Sequence, residues 1–187
     1  MIHKPAPRHW RGREQPAMGS TVKGALVALT VLWGACASVP ATTSPPTEVD
    51  LGAVELTDLA GGSHSLAEYR GKVVLLDFWA TWCAPCLESL PLYDRWQKEL
   101  GDQGLVVVAA SVDEEDAPVA DFAVKYAPAV IVMRDREGRA ADRLGLPKMP
   151  TAFLIGRDGR LIERHAGFDE AGAAALRDRI MSALATP

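Results

Sequence analysis

The stretch Val73–Cys86, VVLLDFWATWCAPC, limits what this chain can fold into more than any other part of it. Val73 to Leu76, Phe78 and Trp79 form an apolar run without polar alternation, as in a strand covered on both faces of a parallel sheet. Pro85 follows where a helix can begin, because the first turn does not use the N–H that proline lacks. The stretch reads as a buried strand that delivers Cys83 to a helix N-terminus. Unpaired backbone N–H groups and the positive end of the helix dipole favour an anion there. The Cys83 thiol is therefore expected to ionise below the ~8.5 of a free cysteine. Cys86, three residues on, lies one turn deeper on the same face, close enough to close a disulfide and less open to attack. Attack by Cys83 on a substrate disulfide gives a mixed disulfide that Cys86 resolves.

Other uses of the cysteine pair are half of a zinc site or a static disulfide. Zinc takes four ligands, and Cys36, His64 and His165 supply no second pair at ligand spacing. Three cysteines cannot build a disulfide framework, so the fold must rest on its apolar core. Residues 1–35 hold five of the 20 basic residues and one of the 24 acidic ones. The rest of the chain is therefore more acidic than the overall formal charge of −4, which argues against a nucleic-acid partner.

Residues 1–35 read as an unstructured leader and export signal. Lys23 precedes the twelve-residue apolar run Gly24–Ala35, which is short of the ~20 residues of a membrane-spanning helix. Met18 is a second candidate start. Gly34-Ala35-Cys36 resembles a lipobox, with Cys36 as the possible lipidation site, although Trp33 departs from the pattern. Ala35-Cys36-Ala37 also fits an ordinary export cleavage site, and an uncleaved anchor is the third reading. All three place the domain on the extracytoplasmic side. Residues 36–50, rich in Pro, Ser and Thr, read as a tether, and residues 51–187 as the folded domain.

Within that domain, Ala53–Thr57 and Ser63–Leu66 read as a hairpin around Gly61-Gly62. Leu87, Leu90, Tyr93, Trp96 and Leu100 mark one face of a helix that Pro91 should kink. Leu105–Val112 is a second buried strand. The run Asp113–Asp116 reads as a solvated acidic loop with an N-cap candidate, ahead of a short helix marked by Val119, Phe122, Ala123 and Tyr126. Ala129–Met133 reads as a strand, and Ala152–Ile155 with Leu161–His165 as a hairpin about Asp158-Gly159. Asp169 can cap a last helix with Ala173, Leu176, Ile180 and Leu184 inside. The alternation predicts an α/β domain with a central mixed sheet flanked by helices and an added N-terminal β-hairpin. Asp77 lies in a strand that should be fully buried, which raises its pKa.

The segment Asp77–Cys86 resembles the active-site segment of the thioredoxin superfamily, and Met149-Pro150-Thr151 before Ala152–Ile155 resembles its cis-proline loop. The leader, the Trp-Cys-Ala-Pro-Cys wording and Pro91 are most similar to the TlpA-like and ResA-like branch of extracytoplasmic thiol-disulfide oxidoreductases. The resemblance covers about residues 54–184 and implies a thioredoxin fold and a Cys83/Cys86 redox cycle without a cofactor. It implies that Pro150 is cis and shapes a substrate groove, and that Asp77 moves a proton for Cys86. Trp82 would shield the disulfide and form part of the docking surface. Many relatives carry an acid three residues after the second cysteine, where this chain has Ser89, with Glu88 one place early. Implied partners are disulfide-bearing client proteins, such as apocytochromes c or copper-site proteins, and a membrane electron donor. The domain is expected to be monomeric. Two other functions use this fold. A thiol peroxidase generally has threonine three residues before its cysteine, whereas Thr81 is two before Cys83. A copper-delivery module typically has CxxxC and a histidine such as His165, whereas this chain has CxxC.

Overall fold

A computed structural model gives the architecture of the chain and describes residues 50–186. The leader, the export signal, the Cys36 lipidation candidate and nearly all of the tether lie outside the described residues. Seven strands form one mixed sheet: β1 (Glu55–Asp58), β2 (Ser63–Ser65), β3 (Val73–Trp79), β4 (Leu105–Ser111), β5 (Ile131–Arg134), β6 (Thr151–Ile155) and β7 (Leu161–Ala166). They lie side by side in the order β2-β1-β5-β4-β3-β6-β7. The helices are α1 (Cys86–Leu100), α2 (Ala117–Tyr126), α3 (Arg139–Leu144) and α4 (Glu170–Leu184).

The apolar run of β3 takes the centre, with all seven residues buried. β4 pairs parallel to it from Val73–Leu105 to Trp79–Ser111, and β6 pairs antiparallel on its other side. Strand alternation sends Val73, Leu75 and Trp79 into one core layer. There they meet Cys86, Leu90, Tyr93 and Trp96 of α1 and Leu176 and Ile180 of α4. Val74, Leu76 and Phe78 enter the opposite layer with Phe153, Leu66 and the α3 residues Ala140 and Ala141.

Local differences from the sequence reading have physical causes. α1 contains Pro91 within a single helix, and Leu87, expected on its buried face, turns outward. β5 starts two residues later than the apolar run, because Ala129 N–H donates to the Asp94 carboxylate at 2.6 Å and Val130 N–H closes a turn on Ala127. α3 is a helix the periodicity does not show. It has only six residues, set between Gly138 and Gly145, both at positive φ. Its N–H groups at Ala140 and Ala141 are satisfied from a distance by the Asp135 carboxylate. Asp169 caps α4 through Gly172 N–H at 2.8 Å.

β1 and β2 pair antiparallel, and β1 joins the sheet on β5. The Asp58 carboxylate accepts from Ala60 and Gly62 N–H across the turn. His64 lies between Asp58 at 3.0 Å and Glu68 at 3.2 Å. A neutral imidazole has one N–H, so only the imidazolium donates to both acids. The hydrogen bond to Asp58, then that to Glu68, raise the His64 pKa. The pairing is therefore complete below the ordinary histidine pKa and is lost as the pH rises through the raised one. NMR titration of His64 should give a midpoint above ~6.5, with amide protection of β1 and β2 falling through that midpoint. A midpoint at or below ~6.5 would contradict this account.

Candidate active site

At the end of β3 the chain leaves the sheet in a turn closed by Cys83 N–H on the Ala80 carbonyl at 3.1 Å. Cys86 N–H then bonds Cys83 O at 3.0 Å, and Leu87 N–H bonds Ala84 O at 3.1 Å. The segment winds tightly before α1 proper, with Pro85 at its cap position. The sequence reading expected unpaired N–H groups here. These amides are instead taken up by short-range bonds, which leaves the helix dipole as the anion-favouring influence on Cys83.

Cys83 and Cys86 form a disulfide with a Cα separation of 5.3 Å. Cys83 keeps 6% of its surface exposed and Cys86 none. The two sulfurs are thus inequivalent: a partner thiol or disulfide arriving from solvent can meet only Cys83.

Asp77 shares the face of β3 used by Leu75 and Trp79, which is the face packed by Cys86 and Tyr93. Its sheet neighbours are the small residues Ala109 and Ala152. It is fully buried, neither carboxylate oxygen has a hydrogen-bond partner, and burial drives its pKa well above the usual carboxylate range. Tyr93 is pushed up by burial as well, with the Asp77 charge adding to the effect. Ser89 is also fully buried, and its hydroxyl donates to Cys86 O at 3.3 Å, while Glu88 points to solvent. No acid occupies the position three residues after Cys86.

The Met149–Pro150 bond is cis. β6 runs antiparallel to β3, so its start lies beside the end of β3, with Thr151 opposite Phe78. Thr151 Oγ1 donates to Lys148 O at 2.7 Å, and Gly167 N–H donates to Pro150 O at 2.8 Å. The Pro150 loop is thereby tied to the end of the sheet from which the cysteine segment emerges. Trp82 is 68% exposed and borders a groove with Val112, Asp113, Glu114, Glu115 and Pro118.

The acidic run was expected to be a solvated loop, and Asp113 corrects that reading. It is only 6% exposed, and its carboxylate accepts from Thr81 N–H at 3.0 Å, Thr81 Oγ1 at 2.7 Å and Ser111 Oγ at 2.8 Å. Asp116 stands at the cap position of α2 without capping it, because its carboxylate is engaged by Arg134 and Arg136. The available signal was Ser111, a polar residue closing an otherwise apolar strand.

A buried acid with a raised pKa binds its proton more tightly folded than unfolded. Stability is therefore unpenalised below the unfolded value near ~3.9 and declines as the pH rises toward the folded value. Asp77→Asn should raise the melting temperature by several degrees at pH 8 and by little at pH 4, as read by thermal unfolding. Equal effects at both pH values would show that burial of the charge is not the cause.

A mixed sheet wrapped by helices, with its central strand presenting a Cys-x-x-Cys disulfide at the start of a helix, defines a thioredoxin-fold protein. The chain belongs to the Redoxin family, which it matches over residues 37–179, and its relatives lie in the ResA/TlpA-like part of the thioredoxin superfamily. It is 34% identical over 112 residues to the thiol-disulfide oxidoreductase ResA of Bacillus thuringiensis subsp. konkukian, covering 60% of this chain and 65% of that one. It is 37% identical over 110 residues to ResA of Geobacillus thermodenitrificans, covering 57% and 61%. The chain thus spans slightly less than two thirds of these relatives. A Chlorobium tepidum crystal structure, provisionally named thiol:disulfide interchange protein DsbE, superposes with a TM-score of 0.68 at 33% identity, covering 74% of this chain and 99% of that one.

Proposed function

We propose that this protein is a thiol-disulfide oxidoreductase that reduces disulfides in exported client proteins. The observation that carries the reading is the pairing of a partly exposed Cys83 with a fully buried Cys86 in one disulfide at the start of α1. In the dithiol form the Cys83 thiolate attacks a client sulfur. A Cys83–client bond forms, the client S–S bond breaks, and the second client sulfur leaves as thiolate and takes a proton. Cys86 then attacks Cys83 Sγ, which releases the reduced client and restores the Cys83–Cys86 disulfide. Two electrons have passed to the client, and a dithiol donor at the membrane resupplies them.

Cys86 must lose a proton inside the core to act. Asp77 faces the same core layer, has no competing hydrogen bond, and has a pKa raised toward the range where it can accept one. Pro85 sets the tight turn between the cysteines. Trp82 and the Pro150 loop provide the docking surface, with backbone groups beside Pro150 receiving the client segment. The leader and Cys36 support export to the periplasmic side and attachment as a lipoprotein. Apocytochromes c or copper-site proteins are the clients that the resemblance of the cysteine segment to the TlpA-like and ResA-like branch implies.

The test is the reduction potential of the pair in the full chain, measured by equilibration in glutathione or dithiothreitol buffers. A reductase is expected near or below about −250 mV, whereas a value near about −120 mV would make the protein an oxidant. Cys83→Ser should abolish insulin-disulfide reduction. Cys86→Ser should arrest the protein as a mixed disulfide visible by mass spectrometry. Turnover that survives Cys83→Ser would refute the mechanism.

A further inference from the structure

Residues 80–85 make few hydrogen bonds beyond their own turn and the start of α1. Among the described residues, the only ones reaching another element are those from Thr81 to Asp113. Thr81 N–H lies 3.2 and 3.0 Å from the two carboxylate oxygens, and Thr81 Oγ1 lies 2.7 Å from one of them. Asp113 is in turn fixed from below. Ser111 Oγ donates to its carboxylate at 2.8 Å, and its own N–H donates to Ser111 Oγ at 3.1 Å. The buried Arg134 of β5 donates to its carbonyl and also pairs with Asp116. A chain of hydrogen bonds therefore runs from β5 through Asp113 to the residue two places before Cys83.

While the disulfide is closed, the covalent bond itself ties Cys83 to α1. Once it opens, that staple is gone, and Thr81–Asp113 is the remaining polar tie between the turn and the sheet. We propose that Asp113 is a positioning residue, which holds the Thr81–Cys83 turn against the end of β4 and keeps the Cys83 sulfur on the N-terminal axis of α1 in the dithiol form. The proposal rests on the redox reading of the cysteine pair. Its consequence is chemical: a sulfur held at the positive end of the helix dipole ionises more easily than one free to swing away.

The experiment is alkylation of the fully reduced full chain with iodoacetamide across a pH series, with modification at Cys83 quantified by peptide mass. Asp113→Ala is expected to raise the Cys83 midpoint by about one unit and to slow alkylation severalfold below it. Asp113→Asn keeps an oxygen for both Thr81 donors and removes a negative charge, so its midpoint should return to the wild-type value or fall below it. Thr81→Val removes only the hydroxyl donor and should shift the midpoint upward by less. If Asp113→Ala does not fold, Thr81→Val and Asp113→Asn carry the test. A folded Thr81→Val or Asp113→Ala protein with the wild-type midpoint overturns the proposal, as does Asp113→Asn shifted upward. Insulin reduction is followed in parallel. Shifted midpoints without turnover in the wild type would sink the reductase reading alone, and turnover with unmoved midpoints would sink the positioning role alone.

Discussion

β3 is hydrogen-bonded on one side to β4 and on the other to β6, and neither face of it touches water. A strand in that situation has one acceptable register, since a slip by one residue would exchange its two core layers. Trp79 and Phe78 illustrate the point: one packs with Phe122 beneath α1 and α2, the other edge-on to Phe153 in the opposite layer. Fixing this strand fixes where the chain must leave the sheet. Both cysteines follow within seven residues of that exit, so their position is inherited from the core rather than built by the loop that carries them.

The same strand also holds the site's anomaly. A carboxylate without hydrogen bonds in a fully buried strand opposes folding, and the alanines on both sides of Asp77 relieve crowding without solvating it. A buried acid of this kind beside a cysteine pair is a candidate for holding or moving a proton in a dry place. Ser89 closes back on the Cys86 carbonyl instead of offering a second acid, so Asp77 stands as the acid of this face. The inequality in exposure between Cys83 and Cys86 and the position of Asp77 are two aspects of one arrangement, with the outer sulfur reaching solvent and the inner one buried in the layer that the acid also faces.

The sequence disclosed those parts of the molecule whose causes are local. The unbroken apolar run of β3, the Asp-Gly turn before β7 and the Asp169 cap of α4 each depend on neighbours along the chain, so pattern and turn chemistry suffice to read them. α3 was not legible, because its amides are satisfied by Asp135 across the Gly138 turn and six residues show little periodicity. Asp113 was misread for a related reason. Four consecutive acids look like solvent-facing loop, and only the fold reveals that the first is turned inward to Thr81 while the fourth meets two arginines. In the same way, Leu87 continues the helical spacing yet points outward, because the face of α1 is decided by what lies beneath it.

The sheet ends on β2 and β7, and neither edge invites another strand. β2 is three residues long and carries His64 between two acids, while β7 bears Glu163, Arg164 and His165 in succession. Short or charged edges of this kind resist pairing with a foreign chain. Backbone-to-backbone extension of the sheet is therefore disfavoured at both edges, which is consistent with the proposed docking surface at the end of the sheet where β3 stops. That is the end at which Trp82 protrudes, the Pro150 loop is tied down and the outer sulfur is exposed.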